Sequence, residues 1–303
     1  MPRKITFKGD PLTLVGRRVK TGMPAPDFKV VSPDLKEVRL SDFSGSGNKS
    51  ESSMPLSEGK GKIKLIIFFP SLDTPVCDLQ VKEFNKRAVG FSSDVVVLGI
   101  SKDLPFAQKR FCQENDIKNV LTLSDYKSSS FGINYGVLVK EINLLARGVV
   151  IIDKNDIIRY FRTVEELTTP PDYEDALNNL AETIKDPSLT VKEELPSQCK
   201  PCAGAVASLP RDTVERLLAK YRGWEVIEDK KLVKELKFRD FQEAKYFLDL
   251  VSFIAQEQGH HPVLTLNYNK LKITLTTHAA GGLTENDFIM AGIIDELGAE
   301  DGR

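Results

Sequence analysis

The chain has 303 residues, enough for about two domains of ~150 residues each. Its 42 Lys and Arg residues balance 43 Asp and Glu residues, and the resulting net charge of −1 argues against a strongly basic nucleic-acid-binding protein. No apolar run approaches the roughly 20 residues of a membrane helix. The N-terminal segment also lacks the apolar stretch of a secretory signal. We therefore expect a cytoplasmic protein with no nucleic-acid or membrane partner.

Apolar spacing predicts an α/β domain over residues 1–184. Short apolar runs at 63–69, 95–100 and 149–152 are typical of strands that are covered on both faces. Apolar residues at helical spacing predict one helix around 77–88 and another around 173–184. A polar turn at 153–156 separates two apolar runs and indicates a hairpin, so the sheet should be mixed.

Two segments interrupt these patterns. Residues 44–62 are rich in serine and glycine and have no periodicity, which predicts a flexible surface insertion in the first domain. Residues 185–204 mix proline, charged and small residues, which is typical of a linker between domains.

Residues 205–303 predict a smaller α+β domain. Helical spacing recurs at 214–221 and 241–255, with Asp240 as a helix N-cap. Alternating runs at 263–268 and 271–277 predict strands, and Thr284 with Asp287 forms a capping box that opens a third helix. We expect an antiparallel sheet with helices on one face.

The rare residues limit the chemistry available to each domain. The three histidines all lie between residues 260 and 278, so a Cys–His or Ser–His–Asp triad in the N-terminal half is excluded. Cys77 follows a predicted strand and begins a helix, where the helix dipole and unpaired N–H groups favour a thiolate. Thr74, three residues earlier, can supply a hydroxyl. Gln80 stands where a thioredoxin-type CxxC enzyme would carry its second cysteine.

The motif P-x-x-x-T-x-x-C at residues 70–77 resembles the active-site motif of peroxiredoxins. Together with the stretches SKDLPFAQKRFC and TTPPDYEDAL, residues 3–183 resemble the thiol peroxidase, or atypical two-Cys, subgroup. The resemblance implies a thioredoxin-like fold and assigns roles to five residues: the peroxidatic Cys77, the shielding Pro70, the peroxide-binding Thr74, the active-site Arg147 and the resolving Cys112. It also implies a sulfenic acid on Cys77, a disulfide with Cys112, and reduction by a thioredoxin-like partner.

The histidines form a second candidate site. A two-residue loop at Asn269-Lys270 would place His261 opposite His278, and even a small slip would leave the histidines at one end of a hairpin. Spacing of the HExxH kind is absent, so we expect no metal. Acid–base catalysis and purely structural histidines both fit the pattern.

The segments G-H-H-P, T-T-H and G-L-T-x-x-D resemble the pterin-4a-carbinolamine dehydratase family, over residues 205–298. The resemblance implies dehydration of 4a-hydroxytetrahydropterin to quinonoid dihydropterin without a cofactor or metal. It assigns catalysis to His260, His261 and His278 and an acidic site role to Asp287. Gln256 stands where many members carry Glu.

We therefore expect a bifunctional enzyme that acts on peroxides and pterins, with a thioredoxin-like reductant, and that forms a homo-oligomer. The alternatives are a peroxide sensor in place of the peroxidase and a dimerisation or binding module in place of the dehydratase. Cys199 and Cys202 form one CxxC pair, which fits half of a zinc site or a disulfide. An incidental or structural pair is the favoured interpretation.

Overall fold

The computed structural model describes residues 3–44, 61–185, 198–200 and 207–298. The chain divides into two compact units, residues 2–193 and 194–303. Residues 45–60 of the expected insertion, most of the expected linker and Cys202 lie outside the described residues.

In its described residues, the first unit combines eleven strands with four α-helices and one short 3₁₀ helix (Leu40–Phe43). The strands are β1 (Arg3–Phe7), β2 (Asp10–Val15), β3 (Lys29–Val31), β4 (Glu37–Arg39), β5 (Ile63–Phe68), β6 (Val95–Ser101), β7 (Leu121–Ser124), β8 (Leu138–Val139), β9 (Leu144–Leu145), β10 (Gly148–Ile152) and β11 (Ile158–Thr163). The helices are α1 (Pro75–Ala88), α2 (Pro105–Glu114), α3 (Ser130–Asn134) and α4 (Tyr173–Lys185).

A seven-stranded mixed sheet with the order β11-β10-β5-β6-β7-β3-β4 forms the centre of this unit. Strands β5, β6 and β7 are parallel, and the other neighbours are antiparallel. All six residues of β5 are buried, as expected for a strand covered on both faces. The hairpin predicted at 153–156 joins β10 to β11. The predicted mixed sheet is therefore confirmed.

The register of this sheet brings distant segments of the chain together. Because β10 runs antiparallel to β5, Gly148 lies opposite Phe68 at the end from which the chain enters α1. A Cβ atom on Gly148 would collide with the Phe68 ring and the carbonyl oxygen of Arg162, so only glycine fits this crossing. Arg147, the preceding residue, is thereby placed beside the beginning of α1.

The second unit consists of α5 (Arg211–Leu218), β12 (Glu225–Ile227), β13 (Lys231–Lys237), α6 (Phe241–Gln258), β14 (Val263–Asn267), β15 (Lys270–Leu275) and α7 (Glu285–Glu296). Its strands form a four-stranded antiparallel sheet with the order β12-β13-β15-β14. Helices α6 and α7 contact β15, in which three apolar residues are buried while the alternating lysines are exposed.

The predicted register of the β14–β15 hairpin is wrong by two residues. Asn267 pairs with Lys270, so the loop is Tyr268-Asn269 rather than Asn269-Lys270. Tyr268 adopts a φ of 49°, a left-handed conformation that tight hairpin loops require. The Asn269 side chain donates to the carbonyl oxygen of Phe238, and the Phe238 N–H donates to the Asn269 carbonyl oxygen, at 2.7 and 2.8 Å. These bonds tie the loop to the end of β13.

As a consequence, His261 does not lie opposite His278. Continuing the observed register would place position 276 opposite His261. The broader expectation holds, because His260 and His261 precede the start of β14 and His278 follows the end of β15 at the same end of the hairpin.

Candidate active sites

Cys77 lies in the first turn of α1 and is fully buried. Thr74 is the N-cap residue and Pro75 begins the helix, a position at which the missing N–H of proline costs no hydrogen bond. The Cys77 N–H reaches back to the Thr74 carbonyl oxygen at 3.1 Å. The thiol is therefore held at the positive end of a helix, where the helix dipole attracts negative charge.

The Thr74 hydroxyl forms the first polar contact of the thiol. Its Oγ1 lies 2.7 Å from Cys77 Sγ and 3.1 Å from the carbonyl oxygen of Ser71. A hydroxyl has one proton and accepts through its lone pairs, so it accepts from a neutral thiol while donating to Ser71. When Cys77 is a thiolate, the same proton can turn towards the sulfur.

Arg147 supplies the second polar contact. It is 2 % exposed, and its Nη2 donates to Cys77 Sγ at 3.3 Å. Its Nε donates to the carbonyl oxygen of Leu167 at 3.1 Å, which fixes the plane of the guanidinium. The structure therefore brings Thr74, Cys77 and Arg147 together, and a buried cation beside the sulfur stabilises negative charge that develops there.

Gln80 belongs to this site but is not recognised from the sequence as one of its functional residues. Its side chain is buried; Oε1 accepts from Arg147 Nη1 at 2.9 Å, and Nε2 donates to the carbonyl oxygen of Gly148 at 3.4 Å. Gln80 thus orients the guanidinium that contacts Cys77. The available signal is a polar residue one helical turn after Cys77, on the apolar face that continues with Val81.

Pro70 is buried in the segment that joins β5 to α1. The following residues of this segment are bonded to Asp103, which accepts from Ser71 Oγ at 2.6 Å and from the Leu72 N–H at 2.8 Å. Asp103 precedes α2, the helix that carries Cys112. The segment that carries Thr74 is therefore hydrogen-bonded to the residues that precede α2, the helix that carries Cys112.

Cys112 lies on α2, and neither its thiol nor that of Cys77 is in a disulfide. Both cysteines contact one apolar cluster, in which Cys77 is buried and Cys112 is partly exposed. Cys112 Sγ lies 3.4 Å from Thr122 Oγ1. Burial raises the pKa of the Cys112 thiol, and the Thr122 hydrogen bond opposes this increase. The two cysteines lie on separate helices, α1 and α2.

In the second unit, His260 and Asp287 form a buried pair. His260 Nε2 lies 2.8 Å from Asp287 Oδ1, and the carboxylate is completely buried. An ionised carboxylate can only accept hydrogen bonds, so His260 Nε2 carries the proton when Asp287 is charged. This contact fixes both the ring orientation and the tautomer of His260.

The second carboxylate oxygen of Asp287 is held by two threonines. Oδ2 accepts from the Thr277 hydroxyl at 2.8 Å and from the Thr284 N–H at 2.7 Å. The two hydroxyl oxygens lie 2.8 Å apart. The predicted capping box of Thr284 and Asp287 is confirmed, and Asp287 therefore serves both the helix terminus and His260. Thr277 as a contact of Asp287 is not recognised from the sequence, although it belongs to the T-T-H segment.

The other two histidines are exposed. His261 Nε2 lies 3.4 Å from Gln256 Oε1, and His278 begins a short 3₁₀ helix (His278–Ala280) after β15. The site therefore has one fixed imidazole and two imidazoles in contact with solvent. Within the described ranges, no group of three or more His, Cys, Asp or Glu side chains is arranged to hold a metal ion.

Comparison with known proteins gives a match for each unit. The redoxin family model matches residues 20–177, and the pterin 4 alpha carbinolamine dehydratase family model matches residues 207–297. A thiol peroxidase of Staphylococcus saprophyticus is 48% identical over 174 residues, which are 57% of this chain and 95% of that protein. A Bacillus subtilis thiol peroxidase is 43% identical over 182 residues, 60% of this chain and 99% of that protein.

Among solved structures, a peroxiredoxin-like protein from Aquifex aeolicus is 39% identical, with a TM-score of 0.51. The match covers 59% of this chain and 96% of that one. The mixed sheet and the thiol at a helix start thus define a thioredoxin-like peroxidase class of domain. The chain belongs to the redoxin family, with thiol peroxidases among its relatives, and carries a pterin 4 alpha carbinolamine dehydratase domain at its C-terminal end. None of the helices in the described residues is long and apolar enough to cross a membrane.

Proposed function

We propose that the first unit reduces hydrogen peroxide and organic hydroperoxides through Cys77. The observation that carries this proposal is the contact of Cys77 Sγ with both Thr74 Oγ1 and Arg147 Nη2, at 2.7 and 3.3 Å. The thiolate attacks one peroxide oxygen, the O–O bond breaks, and the other oxygen leaves as water or an alcohol after protonation. Arg147 and Thr74 stabilise the negative charge that moves from sulfur to the leaving oxygen.

The cycle continues with Cys112. Its thiolate attacks the sulfenic acid sulfur of Cys77, the S–O bond breaks as the disulfide forms, and the hydroxide leaves as water after protonation. A thioredoxin-like dithiol then reduces the disulfide by exchange, which returns both thiols and leaves the reductant oxidised. Such a cycle requires a compartment that keeps thiols reduced, so we propose that the protein works in the cytoplasm.

Peroxide consumption coupled to thioredoxin, thioredoxin reductase and NADPH tests this proposal. We expect steady turnover by the wild-type chain and none by Cys77→Ser, because a hydroxyl cannot replace the thiolate. Cys112→Ser should consume one equivalent of peroxide and then stop, with a sulfenic acid on Cys77 that dimedone traps. A wild-type chain that is oxidised once and is not recycled by thioredoxin would instead indicate a peroxide sensor.

We further propose that the second unit dehydrates 4a-hydroxytetrahydropterin. The observation that carries this proposal is the buried His260–Asp287 pair at 2.8 Å beside two exposed histidines. One imidazole protonates the leaving 4a-hydroxyl, which departs as water, and another accepts the proton of the pterin ring nitrogen. The proton count closes without oxidation or reduction, so the dehydration itself needs no electron carrier.

Loss of ultraviolet absorbance from synthetic 4a-hydroxytetrahydropterin, above the spontaneous rate, tests the dehydratase. We expect each single His→Ala substitution at 260, 261 and 278 to lower kcat, because each removes a proton donor or acceptor. Thermal unfolding of each variant provides the control for folding. A wild-type rate equal to the buffer rate would favour a binding or dimerisation module.

We also propose that the chain forms a homo-oligomer. Strand β14 is an edge strand of the second sheet, and Val263 at its start is 57 % exposed. An unpaired strand edge with an exposed apolar residue is suited to pairing with a second copy. Light scattering of the wild-type chain and of Val263→Asp tests this, and a monomeric wild type would contradict it.

A further inference from the structure

Residues 198–200 lie across the ends of two helices of the second unit. We name these three residues the strap. The strap contacts Gln258, the last residue of α6, and Asn286, in the first turn of α7. It includes Cys199, whose CxxC spacing had no assigned role.

At α7 the strap and Asn286 exchange two hydrogen bonds. The Lys200 N–H donates to Asn286 Oδ1 at 2.9 Å, and Asn286 Nδ2 donates to the Lys200 carbonyl oxygen at 2.8 Å. The amide side chain thus pairs with the strap as a neighbouring backbone would. Asn286 is buried, so loss of this pairing would leave polar groups without water to replace it.

At α6 the strap makes a third backbone bond. The Cys199 N–H donates to Gln258 Oε1 at 2.8 Å, and Cys199 Sγ lies 3.7 Å from the Asn286 carbonyl oxygen. Lys200 Nζ adds an exposed ion pair with Glu285 at 3.3 Å, which contributes little stability. The backbone bonds and the Asn286 amide therefore hold the two helix ends together.

The same two helix ends carry the buried pair of the dehydratase site. His260 lies two residues after Gln258, and Asp287 directly follows Asn286. We propose that the strap sets the separation of His260 and Asp287, with Gln258 and Asn286 as positioning residues. This inference rests on the proposed dehydratase function. A displacement of a proton-transfer group by a fraction of an ångström lowers kcat without removing a substrate contact.

Substitution of Gln258 tests the strap in the full chain. Gln258→Ala removes the acceptor of the Cys199 N–H, whereas Gln258→Glu retains an oxygen at that position. We expect Gln258→Ala to lower the dehydratase kcat about 10-fold and to leave KM unchanged. We expect Gln258→Glu to retain most of the wild-type kcat. Lys245→Ala, an exposed substitution on the same helix, is the control. A purely structural role would change the melting temperature and leave kcat unchanged.

A second measurement does not depend on activity. A proton on His260 Nε2 that is bonded to Asp287 gives a downfield imidazole N–H resonance, assigned by its loss in His260→Gln. We expect this resonance to broaden or disappear in Gln258→Ala and Asn286→Ala and to persist in Gln258→Glu and Lys245→Ala. Where the wild type dehydrates the pterin, joint loss of the resonance and of kcat supports the strap, and a change in only one of them or in neither overturns it. Where the wild type does not dehydrate the pterin, the proposed function fails, and loss or persistence of the resonance then supports or overturns the positioning of His260 against Asp287 by the strap.

Discussion

The two candidate sites differ in how many of their reactive groups are held in place. In the first unit, Cys77, Arg147 and Gln80 are all buried. Arg147 donates hydrogen bonds to both Cys77 Sγ and Gln80 Oε1 and so links the three side chains. Of the four candidate catalytic side chains in the second unit, His260 and Asp287 are buried and bonded to each other. The other two, His261 and His278, are exposed to solvent.

This difference fits the chemistry that we propose for each site. In peroxide reduction, negative charge moves from the thiolate sulfur to the leaving peroxide oxygen. Hydrogen-bond donors that are already fixed beside these atoms, in a site that excludes water, stabilise this charge best. Groups that exchange protons with a bicyclic substrate must reach it and regain their protonation state from water. The two exposed imidazoles can reach a substrate and exchange protons with water, while the buried imidazole of His260 keeps a fixed position. We therefore expect a substitution to lower activity most where it removes a group that the structure holds most firmly.

Replacement of the buried guanidinium should have the largest effect. Arg147→Met removes the cation beside Cys77 Sγ while it retains an apolar chain of similar length. We expect the peroxide kcat/KM to fall roughly 10²- to 10³-fold, as when one preorganised donor is lost. Stopped-flow peroxide reduction measures this. The dehydratase rate of the same variant is the control, and a kcat/KM close to that of the wild type would show that Arg147 does not act on the reacting atoms.

The corresponding change in the second unit is Asp287→Asn. The amide can donate to His260 but no longer presents an anionic acceptor, so it disturbs the ring tautomer and the threonine bonds. We expect a fall in dehydratase kcat of roughly 10²-fold, at the lower end of general acid–base contributions. Thr284→Ala keeps the Asp287 carboxylate and the 2.7 Å bond from the residue 284 N–H, and it removes only the Thr284 hydroxyl, which lies 3.2 Å from Asp287 Oδ2. It therefore separates the effect of the threonine hydroxyl from that of the carboxylate. A larger loss in Thr284→Ala than in Asp287→Asn would contradict this assignment.

Gln80 is the positioning residue of the thiol site, so its effect should be smaller. Gln80→Leu leaves Arg147 Nη1 without its acceptor in a buried site, which should destabilise the unit by roughly 1.5–3 kcal/mol. We expect peroxide kcat/KM to fall about 10-fold because the guanidinium keeps its bond to Leu167 but loses the second bond that orients it. Gln80→Glu retains the acceptor and should keep most of the activity. Urea unfolding and peroxide kinetics measure the two effects, and equal rates for Gln80→Leu and wild type would exclude positioning.

Local patterns could predict much of this arrangement. The spacing of Thr74 and Cys77 sets their positions on one helix turn, and the capping box of Thr284 and Asp287 is likewise a local signal. Arg147 is different, because it lies 70 residues from Cys77 in sequence. Its proximity depends on the antiparallel register of β10 and β5, which the apolar pattern does not specify.

The errors and omissions share a tertiary cause. The hairpin loop differs from the predicted one because Asn269 is bonded to Phe238, outside the hairpin, and turn composition does not reveal this contact. The partner of Gln80 is Arg147, which lies just before β10 and 67 residues away in sequence, so no local pattern marks Gln80. The bonds of the Cys199 strap reach side chains at two helix ends, so no local pattern predicts the strap. Hydrogen-bond partners that are distant in sequence leave no periodic signal.

The substitution with the smallest expected effect, Thr122→Val, concerns the second step of the peroxide cycle. Burial raises the pKa of Cys112, so at neutral pH its reactive thiolate is the minor form. Disulfide formation after a peroxide pulse should therefore accelerate as pH rises towards that pKa, by up to about 10-fold per pH unit. Thr122→Val removes the hydrogen bond that lowers this pKa, and the pKa should rise further.

At a fixed pH below the pKa, Thr122→Val should therefore slow disulfide formation about 2- to 5-fold, the equivalent of a hydrogen bond of ~0.5–1 kcal/mol. Intact-mass analysis of quenched samples measures the conversion of sulfenic acid to disulfide, and the initial peroxide step, which Cys77 governs, is the internal control. A rate that does not change with pH in either chain would mean that helix movement, rather than the Cys112 thiolate, limits this step.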